Sequence, residues 1–330
     1  MTTKAAPQAR ILPATGQALP PLGLGGAALG GLYAPVSDAD AAATLAAAWA
    51  AGLTYFDTAP YYGHGLSEQR LGNFLRGGGA DGALVSSKVG RTLVGPGEAE
   101  PYDTGFVGAP DLVPVFDYSR DAVMAQVETS LARLGRDRLD VCFVHDIGAM
   151  THGDRHADTF RAALEGALPA LAELKAAGVV GAIGIGVNET AVCLEMLAHA
   201  DLDAILIAGR YTLLDQSAED ELLPLCQARG VGVIVGGPFN SGLLAGGTTY
   251  DYAEAPATLL ARRDRLTTVC AAHATTLTAA ALAFPLRHPA VVSVIAGARS
   301  PAEVAANAAA LAAPPPAGLW DDLAAEGLIR

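Results

Sequence analysis

Positive charge is scarce in this sequence. Lys and Arg number 21 against 34 Asp and Glu, a formal net charge of −13, and the few bases form no cluster. Nucleic acid and anionic membrane surfaces both call for a concentrated basic face, so neither is an expected partner. Long apolar runs are missing as well. None approaches the ~18–20 residues of a membrane helix, and Met1–Arg10 holds no apolar stretch that could serve as a signal peptide. The four cysteines, Cys142, Cys193, Cys226 and Cys270, stand singly with no C-x-x-C pair. That pattern reads as buried free thiols in a reducing compartment, and the expected location is cytoplasmic.

What is present is enough apolar material for a large core: 51% hydrophobic against 17% charged residues, far from the balance of a disordered chain. Apolar, β-rich runs of about 4–8 residues alternate with longer helical patterns, the signature of βα units on a parallel sheet. The expected strands are 22–29, 54–57, 84–88, 141–145, 182–187, 204–208, 231–236 and 291–296. Between them Ser37 caps a helix over 38–51 with Gly52 beyond it. Further helices over 66–75, 120–134, 160–177 and 219–229 end at Gly77, Gly135, Gly178 and Gly230. Eight alternations without a linker or composition shift predict an α/β fold, a closed (β/α)8 TIM barrel. It forms one domain over 1–330, with a lead-in hairpin in 1–21 and a C-terminal tail at 314–330. Three long connections, 89–118, 146–159 and 239–256, follow strand C-terminal ends, the face where barrels of this kind carry chemistry.

Three consecutive strands end in ionisable groups on that face: Asp57 (then Tyr62 after a turn), Lys88 and His145. A phenol titrates near ~10 and is a poor acid or base at neutral pH unless its anion is stabilised. Lys88 could lower that value, Asp57 could keep the lysine charged, and His145 could orient a carbonyl or hydroxyl oxygen. Singly, each has an ordinary structural explanation; together on one face they describe an active site. The polar loop from His145 through Asp146, Thr151, His152, Asp154 and Arg155 offers the hydrogen-bonding groups a polyhydroxylated sugar requires, while His156 and Asp158 read as surface residues. No metal is expected, since the first strand, Leu22-Gly-Leu-Gly-Gly-Ala27, lacks a His-x-His.

These residues also carry a resemblance that covers nearly the whole chain. Phe56-Asp-Thr-Ala-Pro-Tyr-Tyr-Gly-His-Gly-Leu-Ser-Glu68, Ser87-Lys88, Val144-His145 and Ile295-Ala-Gly-Ala-Arg-Ser300 with Asn307 resemble the aldo-keto reductase superfamily. Asp117-Tyr-Ser119, His145-Asp-Ile-Gly148, Gly184-Ile-Gly-Val-Asn188 and Ala208-Gly-Arg-Tyr-Thr-Leu-Leu214 are similar to its branch of D-threo-aldose 1-dehydrogenases (L-fucose and L-galactose dehydrogenases) and pyridoxal 4-dehydrogenase.

The resemblance implies a metal-free barrel oxidoreductase holding an extended nicotinamide dinucleotide across its mouth. It gives Asp57, Tyr62, Lys88 and His145 as the catalytic set and Asn188 as the holder of the nicotinamide carboxamide. Gly237, Pro238, Phe239 and Ser241 fall on the loop around the pyrophosphate, and Gly297, Arg299, Ser300, Glu303 and Asn307 at the adenosine end. Independently, Ser300-Pro301 can open a helix after the last strand, which makes a ready anion site.

Three departures bear on function. Gly236 stands where many relatives carry an aromatic that stacks on the nicotinamide. Gly26 and Ala27 replace Thr and Trp, which suggests a more open pocket. Glu303 replaces a base, which favours NAD, since a carboxylate suits a ribose 2′-hydroxyl and repels a 2′-phosphate; Arg299 keeps NADP open. The expected reaction is oxidation of an aldose at C1 to the lactone. The alternatives are pyridoxal oxidation or aldehyde reduction in the same pocket, a cofactor-binding regulatory subunit, and a metal-dependent barrel hydrolase.

Overall fold

Eight short parallel strands close into a barrel: β1 Leu22–Gly25, β2 Tyr55–Asp57, β3 Leu84–Val89, β4 Leu139–His145, β5 Val180–Val187, β6 Ala204–Ala208, β7 Gly232–Gly236 and β8 Val291–Gly297. Each pairs with its neighbours in sequence, and β8 returns to β1 through Val294↔Leu22 to Gly297↔Gly25. The chain is described here from a computed structural model over residues 8–330. Residues 1–7, the start of the expected lead-in and most of the stretch read for a signal peptide, lie outside the described residues.

Side chains alternate along each strand, so one set fills the barrel and the other meets the helices. Inside, Tyr55, Val141, Phe143, Ala182, Ala204, Leu206, Ile234, Val292 and Ile295 pack together with Leu12 and Leu19. The last two belong to a hairpin, Arg10–Ile11 with Ala18–Leu19, that closes the end opposite the site. The barrel is thus a filled core with one working face. All four cysteines are buried free thiols. Among the described residues no helix is long and apolar enough to cross a membrane; one bent pair, 257–272 with 277–287, passes by length and composition only.

Helix termini follow side-chain chemistry closely. Ser37 accepts from the Asp40 N–H to open Asp38–Ala50, Ser119 accepts from Ala122 N–H to open Arg120–Leu134, and that helix ends at left-handed Gly135. Ser300 caps Pro301–Ala312 in the same way.

Differences from the expected elements lie mostly in the connections. The expected strand 22–29 stops at Gly25, because Gly26 turns away to donate its N–H to the Asp57 carbonyl. The supposed loop 146–159 is largely helical, with a turn at Ala149–His152 and continuous helix from His156 to Ala176 that widens to a π-turn over Ala163–Ala167. The connection 89–118 carries an antiparallel hairpin, Arg91–Val94 with Val113–Phe116, and 239–256 a smaller one, Thr249–Tyr250 with Ala253–Glu254.

Candidate active site

The C-terminal ends of β2, β3 and β4 bring Asp57, Lys88 and His145 to one side of the mouth. Lys88 Nζ lies 2.7 Å from Asp57 Oδ2 and 2.9 Å from the Thr58 carbonyl. The other carboxylate oxygen accepts from Ser86 Oγ at 2.7 Å, and Ser86 accepts from the Tyr55 hydroxyl at 2.9 Å. Asp57 and Lys88 are both buried, so the pair is held in fixed geometry, with Ser86 and the Thr58 carbonyl taking further bonds.

Tyr62 follows β2 through Pro60. Its ring lies 4.6 Å below the Lys88 ammonium and 5.9 Å from the His145 ring at a near-right angle. The four side chains therefore meet in one place. Their electrostatics differ from the expected acidified phenol. Burial, with Asp57 and Asp146 adding to it, pushes the Tyr62 pKa well above its usual value. The Lys88 ammonium lies over the ring face and is paired with the Asp57 carboxylate. Tyr62 is a neutral phenol here, a hydrogen-bond and proton donor. Burial likewise depresses His145 well below the usual imidazole value, Arg91 and Lys88 acting in the same direction.

The helix Leu66–Arg76 secures this face. Ser67 Oγ donates to the Gly26 carbonyl, while buried Glu68 accepts from Ser87 Oγ at 2.6 Å and from Arg133 Nε at 2.6 Å. Gly26 is a packing glycine and opens no pocket: a β-carbon there would lie 2.5 Å from Ser67 Oγ and 2.9 Å from the Asp57 carbonyl.

The polar loop after His145 spends Asp146, His152 and His156 internally and leaves Thr151, Asp154 and Arg155 exposed. Asp146 pairs with Arg91 at 2.8 Å. His152 is buried against Phe116 and Tyr118 and bonds the Asp146 carbonyl, and His156 meets the Ile147 carbonyl and Glu195. The mouth beside Tyr62 is instead aromatic, with Phe106 at 5.3 Å from the Tyr61 ring and 6.2 Å from that of Tyr62. Sequence reasoning passed over Arg91 and Phe106 and left the role of Tyr61 open. Arg91 alone left a signal, a base three residues past Lys88 in a base-poor chain.

The other expected positions occupy the remaining half of the rim. Asn188 follows β5, and its carbonyl accepts from Arg210 Nε at 2.7 Å. Arg210 also reaches Asp215 at 3.1 Å and Asp251 at 2.8 Å, joining the ends of β5 and β6 to the small hairpin. Gly237, Pro238, Phe239 and Ser241 follow β7; the Phe239 side chain packs on the core, leaving its backbone to line the rim. Ser241 Oγ accepts from the Tyr252 N–H, and Tyr252 lies against Asn188. Gly297, Arg299, Ser300, Glu303 and Asn307 lie at the end of β8 and along the first two turns of Pro301–Ala312, with Asn307 buried. Glu303 is partly committed, one carboxylate oxygen accepting from Arg299 N–H at 3.0 Å.

This half-rim fits an extended polar ligand. Asn240 Oδ1 is buried without a partner, Gly237, Asn240, Ser241 and Gly242 are all left-handed, and nothing lies within 4 Å of a β-carbon built at Gly242 or Gly297. At Gly236 the opposite holds. A β-carbon would meet Leu206 and Ala208 at 3.3–3.4 Å, so an aromatic has no place there without repacking.

Comparisons with known proteins agree with this fold. The profile of the Aldo/keto reductase family matches residues 21–323. The chain is 45% identical to a pyridoxal 4-dehydrogenase of Microbacterium luteolum, over 98% of both chains. It is 42% identical to a D-threo-aldose 1-dehydrogenase of a Pseudomonas species, over 96% of both. Among solved structures, an aldo-keto reductase of Bacillus halodurans in its holo form superposes with a TM-score of 0.74 at 26% identity, covering 98% of this chain and 96% of that one.

Proposed function

Since the chain belongs to the aldo/keto reductase family, we propose that it oxidises the hemiacetal carbon of a cyclic substrate, an aldose of the L-fucose, L-galactose or D-arabinose type at C1, to the lactone. The observation that carries this reading is the meeting of Tyr62, Lys88, Asp57 and His145 at one point of the mouth. When bound, NAD or NADP supplies the hydride acceptor and, in its oxidised form, a positive charge beside the phenol. Tyr62 takes the substrate hydroxyl proton once its own has left; in the reverse direction, as the neutral phenol present in the free protein, it donates. Lys88, fixed by Asp57, stabilises the Tyr62 anion when it forms. His145 donates a hydrogen bond to the same substrate oxygen. Asn188, Gly237, Pro238, Phe239, Ser241, Gly297, Arg299, Ser300, Glu303 and Asn307 would hold the dinucleotide along the rim from β5 to β8. Glu303 favours NAD over NADP.

A second reading has its own support. Pyridoxal is also a cyclic hemiacetal in water, with a flat aromatic ring. The Tyr61–Phe106 wall and the internal pairing of Asp146, His152 and His156 suit such a ring better than a polyol. Initial rates with L-fucose, L-galactose, D-arabinose and pyridoxal, each with NAD+ and NADP+, separate the two. Sugar turnover is expected; pyridoxal turnover with inert sugars would overturn the aldose assignment.

A further inference from the structure

Arg91 has no role in the reading above, yet it is 5% exposed and packed directly behind His145. Its guanidinium is sandwiched between the rings of Tyr61, at 4.2 Å, and Phe116, at 4.6 Å. Two short bonds fix its orientation, Nη1 to His145 Nδ1 at 2.9 Å and Nη2 to Asp146 Oδ2 at 2.8 Å. A guanidinium only donates, so Nδ1 must present a lone pair. A neutral imidazole carries one N–H, which is then on Nε2. A charged imidazolium would set two cations 2.9 Å apart.

We propose that Arg91 is a positioning residue that holds His145 as the neutral Nε2–H tautomer, so that His145 donates a hydrogen bond to the substrate oxygen and cannot take its proton. The proposal rests on the reading that His145 faces that oxygen.

Asp146 completes the device. Its backbone is left-handed, with φ of 49°, a conformation uncommon outside glycine. Two bonds hold it there: its N–H donates to the Gly186 carbonyl at 2.9 Å, and its carbonyl accepts from His152 at 2.8 Å, while the Tyr118 hydroxyl donates to the neighbouring His145 carbonyl at 2.8 Å. That turn folds the carboxylate back onto Arg91 and neutralises a charge that would otherwise be costly to bury. Oδ2 also lies 3.4 Å from His145 Nε2, a weak acceptor that a substrate oxygen can displace. With His145 withheld from proton traffic, Tyr62 is left to carry it.

The tautomer can be read without turnover. In the full chain labelled with 15N-histidine, His145, identified by the signal lost in His145→Gln, should show a protonated Nε2 and a bare Nδ1 across the neutral range. A protonated Nδ1 or an imidazolium would overturn the proposal even in an active enzyme. The expected spectrum in a protein inactive on every hemiacetal would instead sink the functional reading and leave the positioning intact. Arg91→Gln should mix the tautomers and lower kcat about 10–100-fold, with NADH affinity by fluorescence within about twofold of the parent. Arg91→Lys, which returns one donor without the fork, should recover part of the loss. A folded Arg91→Gln with an unchanged tautomer and unchanged kcat also overturns the proposal; if that variant does not fold, the wild-type spectrum still decides.

Discussion

Lys88 and Asp57, on neighbouring strands, meet at 2.7 Å with almost no access to solvent. Burying either charge alone would cost several kcal/mol, and their attraction repays this only because Ser86 and the Thr58 carbonyl satisfy what remains. Asp57→Asn keeps the shape and removes the countercharge. Unfolding in guanidinium should show a loss of about 3 kcal/mol, larger than a surface substitution gives. A loss below ~0.5 kcal/mol would mean the lysine finds another partner or sheds its proton.

The raised pKa of Tyr62 sets the pH dependence of each direction. Oxidation needs the anion, so its rate should climb as pH rises from neutral into the alkaline range. Reduction needs the phenol, so its rate should stay level over that interval. Tyr62→Phe should lower kcat at least about 100-fold in both directions and leave NADH affinity by fluorescence nearly unchanged. Parallel pH profiles for oxidation and reduction would assign the proton to another group.

Acid should destabilise the fold before the carboxylates titrate. Burial, the first cause in each case, lowers the pKa of His145, His152 and His288 in the folded chain. The unfolded chain then binds more protons than the folded one below the ordinary histidine value near ~6.5. Stability from these groups is complete above that value and falls as pH drops through it. For buried His145 the slope is up to about 1.4 kcal/mol per pH unit. Melting temperatures between about pH 7.5 and 5 should decline in parent protein, and less steeply in His145→Gln. Identical slopes would place His145 in contact with water.

Much of this architecture is legible because strand and helix periods differ and because the caps are local. Ser37 and Gly52 mark both ends of their helix in sequence alone. Lys88 and His145 are legible because each ends an apolar run. Phe106 is not, and Arg91 shows only as a base close after Lys88, since they sit on a hairpin and its loop with no apolar period, and their place depends on that hairpin folding back onto Tyr62 and His145. The phenol's electrostatics were also out of reach: sequence places a lysine near Tyr62 but not over its ring face. Gly26 misled for a related reason, since an absent side chain reads equally as open space or as a close contact with Ser67.

Glu303 offers a test at the far end of the rim. Its carboxylate does two jobs that substitutions can separate, accepting the Arg299 N–H beside the Ser300 cap and presenting negative charge near the proposed adenosine ribose. Glu303→Gln keeps an acceptor for the N–H and removes the charge, whereas Glu303→Lys reverses the charge. If the carboxylate selects a 2′-hydroxyl over a 2′-phosphate, the NADP-to-NAD ratio of kcat/KM should rise in Gln and rise further in Lys. A gain of about tenfold or more in Lys corresponds to about 1.4 kcal/mol. Raised salt should shrink the Lys effect, because the site is half exposed and its charges are screened. An unchanged ratio in both variants, with melting temperatures near the parent's, would confine Glu303 to its helix-capping contact and leave Arg299 to set the cofactor preference.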